Sequence, residues 1–360
     1  MKVLVLATDY PDNNGKVSLM YIHTRNLAYI KNGYEVVVLN FSAEVGYLKD
    51  GIRVITFQEY KQNIEPADIL LCHAANLRNH YKFLKKYQKL YESIVFFYHG
   101  HEVLKINKVY SKPYFYKKEN GFKVVLRNWY DSFKLHVWRK YLPKIMHKSK
   151  LIFVSNWMKN EFEKWVFPLK DYSNRVFITY NCVGKEFETL QFDSKKDKEY
   201  DFITVRSFLD GSKYAVDLVI KIASKYPQYK FCVIGRGEIF KYFGKPDNIT
   251  WIDRYMSHDD ILAQLNNAKF ALMPTRTDAQ GLMACEMATF GMPLITSTIP
   301  VCYEIFDSFK NVAYIDNDSE FENFDQLINN LSAVKEKNTK YFECNTIANE
   351  LQIFEREIQE

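Results

Sequence analysis

The stretch Ala271–Ser297, ALMPTRTDAQGLMACEMATFGMPLITS, decides how the chain is read. Phe270 to Met273 is a short apolar run closed by Pro274, the pattern of a buried strand. A polar turn follows from Thr275 to Gln280, and Gly281 opens an apolar stretch of helical character that stops at Gly291-Met292-Pro293. Leu294 to Thr296 then resumes as strand. In a strand-turn-helix unit the unpaired backbone N–H groups of the first helical turn point into the turn, which can therefore hold an anion, phosphate above all. Asp278 stands before the helix and Glu286 inside it, with seven residues between them. Helical side chains lean toward the N-terminus, so Glu286 is expected to reach back toward the ligand that Asp278 faces. Two carboxylates accepting from hydroxyls beside a phosphate-type turn imply a nucleotide or a nucleotide sugar.

Outward from this unit the same grammar recurs. Continuous apolar runs occupy Val3 to Leu6, Val36 to Leu39, Ile69 to Cys72, Ile94 to Tyr98, Leu151 to Val154 and Val176 to Thr179. A second set occupies Phe202 to Val205, Phe231 to Ile234, Ile249 to Ile252, Phe270 to Met273, Leu294 to Thr296 and Val312 to Ile315. Runs that are continuous rather than alternating are what strands covered on both faces require, so the fold class is α/β with parallel sheets wrapped by helices. The two sets read as two doubly wound domains, 1–190 and 200–340, joined by a charged linker at 191–199 that contains DSKKDKE, Asp193 to Glu199. A last helix, 341–360, is expected to pack back toward the first domain. His99, Arg206, Gly235 and the turn Thr275 to Gln280 each follow directly on a strand, where ligands of open α/β sheets bind. Two such domains facing each other would make a cleft.

Composition narrows the class. With 360 residues, 47% hydrophobic and 26% charged, the chain has room for two full cores and is not disordered. Its six cysteines have neither CxxC nor Cys/His spacing, which reads as reduced, buried thiols in a cytoplasmic protein. MKVLVLATDY carries too short an apolar run for a signal-peptide core, and no run approaches the roughly 18 residues of a membrane span. Membrane contact is then expected to be peripheral. No RNA-recognition motif is present, and no nucleic-acid partner is expected.

PTRTDAQGLMACEMATFGMPLITS resembles the donor-binding segment of the retaining family 4 glycosyltransferases, Pro-Ser-x-x-Glu-Gly-x-Gly-x-x-x-x-Glu-Ala-x-Ala-x-Gly-x-Pro. Gly281, Glu286, Ala288, Gly291 and Pro293 match; Asp278 stands for the first Glu, and Ala279 and Gln280 replace the usual Gly and aromatic. The resemblance implies a GT-B fold, with Asp278, Gln280, Gly281 and Leu282 at the donor sugar and Glu286 at the ribose. VRSFLDGSK, Val205 to Lys213, is similar to the family's Gly-Arg-x-x-x-x-Lys-Gly, which assigns Arg206 and Lys213 to the pyrophosphate, although the gap is longer and Tyr214 replaces the Gly. Two cations there would stabilise the leaving group as its charge grows. VIGRGEIF places Gly235 and Gly237 in a loop beside the nucleotide. YPDNNGK offers Gly15 where the family has a Gly-Gly loop at the donor phosphates, with Lys16 in the second position, either supplying charge on the acceptor side or solvated. In FFYHGHEVL, His99 occupies the family's histidine facing the donor sugar; hydrogen bonding is its expected role, with general acid/base work left open. His101 and Glu102 orient either the acceptor or the loop.

The implied activity is retaining transfer of a hexosyl or N-acetylhexosaminyl group from a nucleotide-diphosphate donor, UDP-sugar favoured, to a saccharide acceptor. The acceptor is expected to be lipid-linked, in bacterial surface polysaccharide assembly, with no cofactor and no metal. A catalytically silent nucleotide-sugar-binding subunit and a GT-B epimerase are the alternatives. Asp316-Asn317-Asp318 has the Asp-x-Asp pattern of metal-dependent transferases but reads as a turn. A glycoside hydrolase pair of carboxylates is excluded, because Asp278 lies in a phosphate-type turn with cations nearby. Residues 105–150 are basic and aromatic, with Val124, Val125, Trp129, Phe133, Val137, Trp138 and Tyr141 near helical spacing. Two readings stand: an amphipathic helix for anionic lipid at the inner face of the cell membrane, or a helix packed on the first domain with a solvated basic face.

Overall fold

A computed structural model of the chain describes residues 1–15, 18–117 and 120–356. They divide into two compact units. The first comprises Met1–Ile106, Leu126–Cys182 and the chain from Glu343, and the second comprises Asn107–Val125 and Val183–Phe342.

The sheet of the first unit is built from β1 (Lys2–Ala7), β2 (Glu35–Asn40), β3 (Tyr47–Lys49), β4 (Ile52–Thr56), β5 (Ile69–His73), β6 (Ser93–Tyr98), β7 (Ser149–Phe153) and β8 (Val176–Ile178). Their order is β3-β4-β2-β1-β5-β6-β7-β8, parallel except for the antiparallel β3 and β4 pair. The β3 and β4 strands were not expected. They form an edge hairpin, and its signal is Asp50-Gly51, both at positive φ (47° and 82°), the dipeptide that a two-residue turn demands. The β4 run is short and interrupted by exposed Arg53, so it lacks the continuous apolar pattern of the central strands.

The second unit carries β9 (Tyr200–Phe208), β10 (Phe231–Arg236), β11 (Ile249–Ile252), β12 (Ala268–Leu272), β13 (Leu294–Ser297) and β14 (Val312–Ile315), ordered β11-β10-β9-β12-β13-β14 and wholly parallel. The order reverses between β1 and β5 in one sheet and between β9 and β12 in the other. Those are the crevices where such sheets bind ligands.

Three boundaries differ from expectation. The chain passes between units at Cys182/Val183 rather than near 190, because Phe187 and Phe192 are buried against Phe290. The charged stretch taken as a linker belongs to the second unit: Asp193 N–H donates to Asn266 Oδ1 (2.9 Å) and Lys198 Nζ to the Asn266 carbonyl (3.0 Å). Residues 107–125 also belong to the second unit. Tyr114 hydroxyl donates to Asp217 (2.7 Å) and Tyr116 hydroxyl to Asp210 (2.8 Å).

The C-terminal helix, Glu343–Glu355, is built into the first unit through a buried polar knot. Arg25 Nε donates to both Glu350 oxygens (2.9 and 3.2 Å), Tyr29 hydroxyl donates to Oε2 (2.6 Å) and Thr179 hydroxyl to Oε1 (3.2 Å). Both charges are fully buried, so each is tolerated only because the other is there.

Candidate functional site

In the second unit the site grows from the carboxyl ends of β9 and β12. Arg206 lies near the end of β9, where its Nη2 donates to the Pro274 carbonyl (2.8 Å). Gly235 makes that placement possible: its φ is +142°, and a Cβ there would lie 1.9 Å from the Arg206 carbonyl oxygen. The β9/β10 register shifts at the same point, between Ile234 and Arg236. Gly235 therefore acts through close backbone approach. Gly237 is packed similarly against Asp210, whose Oδ1 accepts from Glu238 N–H (2.8 Å) and whose Oδ2 pairs with Lys117 (3.1 Å).

Lys213 sits in the short 3₁₀ turn Ser212–Tyr214. Its ammonium is 4.8 Å from the centroid of the Tyr214 ring and 5.2 Å from that of Tyr110, and the Arg206 guanidinium is 5.2 Å from the Tyr214 ring. The aromatic residue at the expected Gly position thus gathers both cations. Burial lowers the Lys213 pKa, but Tyr110, Tyr214 and Asp278 outweigh it and hold the ammonium above its ordinary value. Burial pushes the Arg206 pKa down while Asp278 opposes it. Arg206 Nε is buried without a hydrogen-bond partner among the described residues. A half-buried cation with one buried, open donor suits an anion.

The turn after β12 is held by a relay. Thr275 N–H donates to Ser297 Oγ (2.9 Å), Ser297 hydroxyl to Asn317 Oδ1 (2.7 Å) and Asn317 Nδ2 back to the Thr275 carbonyl (3.0 Å). Arg276 forms a bidentate pair with Asp217 (2.8 and 2.7 Å), and its N–H donates to the Lys213 carbonyl (2.8 Å). Arg206, Thr275, Asp278, Gly281, Ala284 and Cys302 line a small cavity. Asp278 closes on its own backbone: Oδ1 accepts from Ala279 N–H (2.8 Å) and Gln280 N–H (3.3 Å). Gln280 and Leu282 are not among the lining residues, and the Gln280 amide is buried against Cys285 Sγ at 3.8 Å.

Glu286 is not among the lining residues either. Glu286 lies two positions beyond Ala284 in the helix Leu282–Thr289, roughly 200° round its axis. Its Oε1 accepts from Gly184 N–H (3.3 Å). Burial raises its pKa to about 7, against the opposing effect of His258 and Gly184. Asp316-Asn317-Asp318 is a turn, with Asp316 Oδ1 accepting from Asp318 N–H (2.9 Å). Among the described residues no three His, Cys, Asp or Glu side chains are grouped to hold a metal ion.

In the first unit, His99 follows β6 and its Nε2 lies 3.1 Å from Nδ1 of His73, the last residue of β5. Tyr21 covers the ring at 4.5 Å. Burial, with Arg25 and His101 nearby, holds the His99 pKa well below the ordinary histidine value. Buried Glu102 accepts from the His99 backbone N–H, so of its two readings it orients the loop. His101 is exposed, and its carbonyl accepts from Lys134 Nζ (2.8 Å). Gly15 forms an exposed turn at φ +92°, and Lys16 lies outside the described residues.

The basic segment separates into parts. Lys134 pairs with Asp131 (3.0 Å) in the interior, Arg139 Nε donates to the Val166 carbonyl (2.6 Å), and Lys148 and Lys150 donate to backbone carbonyls. All four have protein acceptors, but only Lys134 and Lys150 are buried away from the surface; Lys148 is half-buried and Arg139 stays exposed. The helix Gly121–Ile145 exposes Leu126, Trp129, Tyr130 and Phe133, and Lys140 and Lys144 continue the same face. Five cysteines are buried as expected, and Cys344 is exposed.

Sequence reasoning missed His73, Tyr110, Asp210 and Asn317. His73 ends a strand just as Tyr98 does before His99, which is a usable signal; the other three are joined to the site only by tertiary contacts.

Residues 186–344 match the family model of the glycosyl transferases group 1. An uncharacterised glycosyltransferase of Methanocaldococcus jannaschii is 26% identical over 193 residues, 51% of this chain and 51% of that protein. The O-antigen biosynthesis glycosyltransferase WclY of Escherichia coli is 30% identical over 99 residues, 26% of this chain and 27% of its own. The chain thus spans about half the length of one curated relative and about a quarter of the other. Among solved structures, the Anabaena protein HepE in complex with UDP and glucose has a TM-score of 0.64 at 13% identity, covering 98% of both chains. This likeness shows the fold: two parallel-sheet, Rossmann-like domains as in GT-B glycosyltransferases. The resemblance read from Ala271–Ser297 holds at the level of the group 1 glycosyltransferases.

Proposed function

We propose that the chain is a retaining glycosyltransferase that moves a hexosyl or N-acetylhexosaminyl group from a nucleotide diphosphate, UDP by preference, to a hydroxyl of a lipid-linked saccharide. The observation that carries this reading is the convergence of Arg206 and Lys213 on Tyr214 beside Asp278, at strand ends inside the segment that matches the family model. In the reaction, the bond from the anomeric carbon to the diphosphate oxygen breaks while the acceptor oxygen bonds to that carbon on the same face. The acceptor proton passes to the departing diphosphate. Arg206 and Lys213 neutralise the charge that accumulates there, which for one such donor is worth roughly 10²-fold or more in rate. Asp278 and the turn at Gly281 hold the sugar, His99 hydrogen-bonds to it, and Glu286 takes the ribose hydroxyls. No metal and no cofactor enters the step.

The acceptor class is supported by the O-antigen relative and by the exposed face of the helix Gly121–Ile145. Trp129 and Phe133 stack at 5.6 Å with 66% and 47% of their surfaces exposed, and Lys140 and Lys144 follow on the same face. An aromatic face that continues into cations complements an anionic bilayer, at the cytoplasmic side of the cell membrane.

The test is nucleotide release from a panel of UDP-, GDP- and other nucleotide sugars, with chelator present, by the wild type and by Glu286→Ala and Arg206→Ala. Release from one donor, lost in both variants, is expected. Binding of a donor without release in the presence of lipid-linked acceptors would instead mark a silent binding subunit. Conversion of the donor without an acceptor would mark an epimerase. Vesicles with anionic lipid should retain the wild type and lose Trp129→Ser/Phe133→Ser; equal retention would refute the membrane contact.

A further inference from the structure

The strand pairing brings His73 and His99 together. His73 stands opposite Phe97 in the β5/β6 register, and His99 lies two positions beyond Phe97, on the same face of the strand direction. The three rings are nearly parallel: His73 stacks on Phe97 at 4.4 Å and 15°, and on His99 at 5.4 Å and 23°. His73 is 1% exposed and ends the strand at the first unit's crevice, next to β1 where the order reverses. Its Nδ1 meets His99 Nε2 at 3.1 Å, and its own Nε2 is buried with no hydrogen-bond partner among the described residues.

Burial and the neighbouring Arg25 cation disfavour the charged form of both rings, and with both neutral one proton lies between them, so that two arrangements exist. If His99 Nε2 carries that proton, His73 must carry its own on Nε2, where a buried N–H would have no acceptor. If His73 Nδ1 carries it, His73 Nε2 is left with only a lone pair. Orphaned buried N–H groups are the rarer and costlier defect, so the second arrangement prevails.

We propose that His73 is a positioning residue that locks His99 in the Nδ1–H tautomer. Its N–H occupies the His99 Nε2 lone pair, so that nitrogen cannot serve as a base. His99 therefore meets the sugar as a hydrogen-bond donor through Nδ1. The catalytic consequence rests on the proposed glycosyl transfer; the tautomer does not.

The experiment uses the full chain labelled with ¹⁵N-histidine, with long-range ¹H–¹⁵N correlation reading which nitrogen of each ring is protonated and His99→Gln assigning the signal. In the wild type, His99 is expected to show protonated Nδ1 and bare Nε2. His73→Asn, whose amide N–H falls near the position of Nδ1–H, should keep that pattern, and His73→Phe, which keeps the stacking but has no donor, should lose it. With the donor that the wild type turns over, His73→Phe should lower kcat about tenfold with little change in KM, and His73→Asn should restore most of it. Protonated Nε2 on wild-type His99 would overturn the proposal, and so would equal losses in both variants with an unchanged tautomer. If the wild type turns over no donor, the glycosyl-transfer reading fails while the tautomer is still decided by the spectrum. The wild-type and His73→Asn spectra suffice should His73→Phe not fold.

Discussion

Replacing Glu286 with glutamine removes a carboxylate that the fold holds against its own charge. The side chain is 3% exposed, its Oε1 accepts from Gly184 N–H at 3.3 Å, and burial raises its pKa from 4.5 to about 7. At 1.36 kcal/mol per pH unit, that displacement corresponds to about 3 kcal/mol against the ionised form. The sign follows from proton binding. Between pH 4.5 and 7 the folded chain keeps a proton that the unfolded chain has released, so this group's contribution to stability falls as pH rises through that window and levels off above it. Glutamine keeps the acceptor for Gly184 and never ionises. Melts of both proteins from pH 5 to 8.5 should therefore diverge, the variant gaining roughly 5–10 °C on the wild type by pH 8, at about 2–4 °C per kcal/mol for a domain of this size. Other titrating groups are common to both proteins and cancel in the difference. A difference in Tm that stays constant with pH would refute the reasoning.

Gly235→Ala should destabilise the chain by about 3 kcal/mol or more, because the added Cβ meets the Arg206 carbonyl at positive φ; chemical denaturation measures the loss, and near-native stability would refute the close approach. Glu350→Ala strands the fully buried Arg25 cation and should cost about 3–5 kcal/mol, read as a lowered Tm that Arg25→Met introduced alongside it partly restores. Tyr214→Ala removes the ring that both site cations contact and should weaken donor binding about tenfold, in line with roughly 1–2 kcal/mol of cation–π contact, while Tyr214→Phe should bind like the wild type in calorimetric titration.

The sequence by itself determined the class of the fold, because parallel strands buried on both faces must be continuous apolar runs, and twelve of the fourteen strands announce themselves that way. It also marked Arg206, His99 and the turn at Asp278 as following such runs directly, and they lie at the carboxyl ends of β9, β6 and β12. The β3/β4 hairpin escaped because an edge strand has no such run, and Asp50-Gly51 was its available mark. Tertiary structure alone decided the partners. Tyr110 reaches Lys213, and Asn317 braces Thr275, across gaps in sequence that no periodicity spans. It left Glu286 off the lining of the Asp278 cavity through the helix's angular step, and gave Lys134, Arg139, Lys148 and Lys150 protein acceptors, because a cation's surroundings depend on which carbonyls the packing leaves open. Local pattern records burial and backbone state; hydrogen-bond geometry between distant segments is set only when the sheets close.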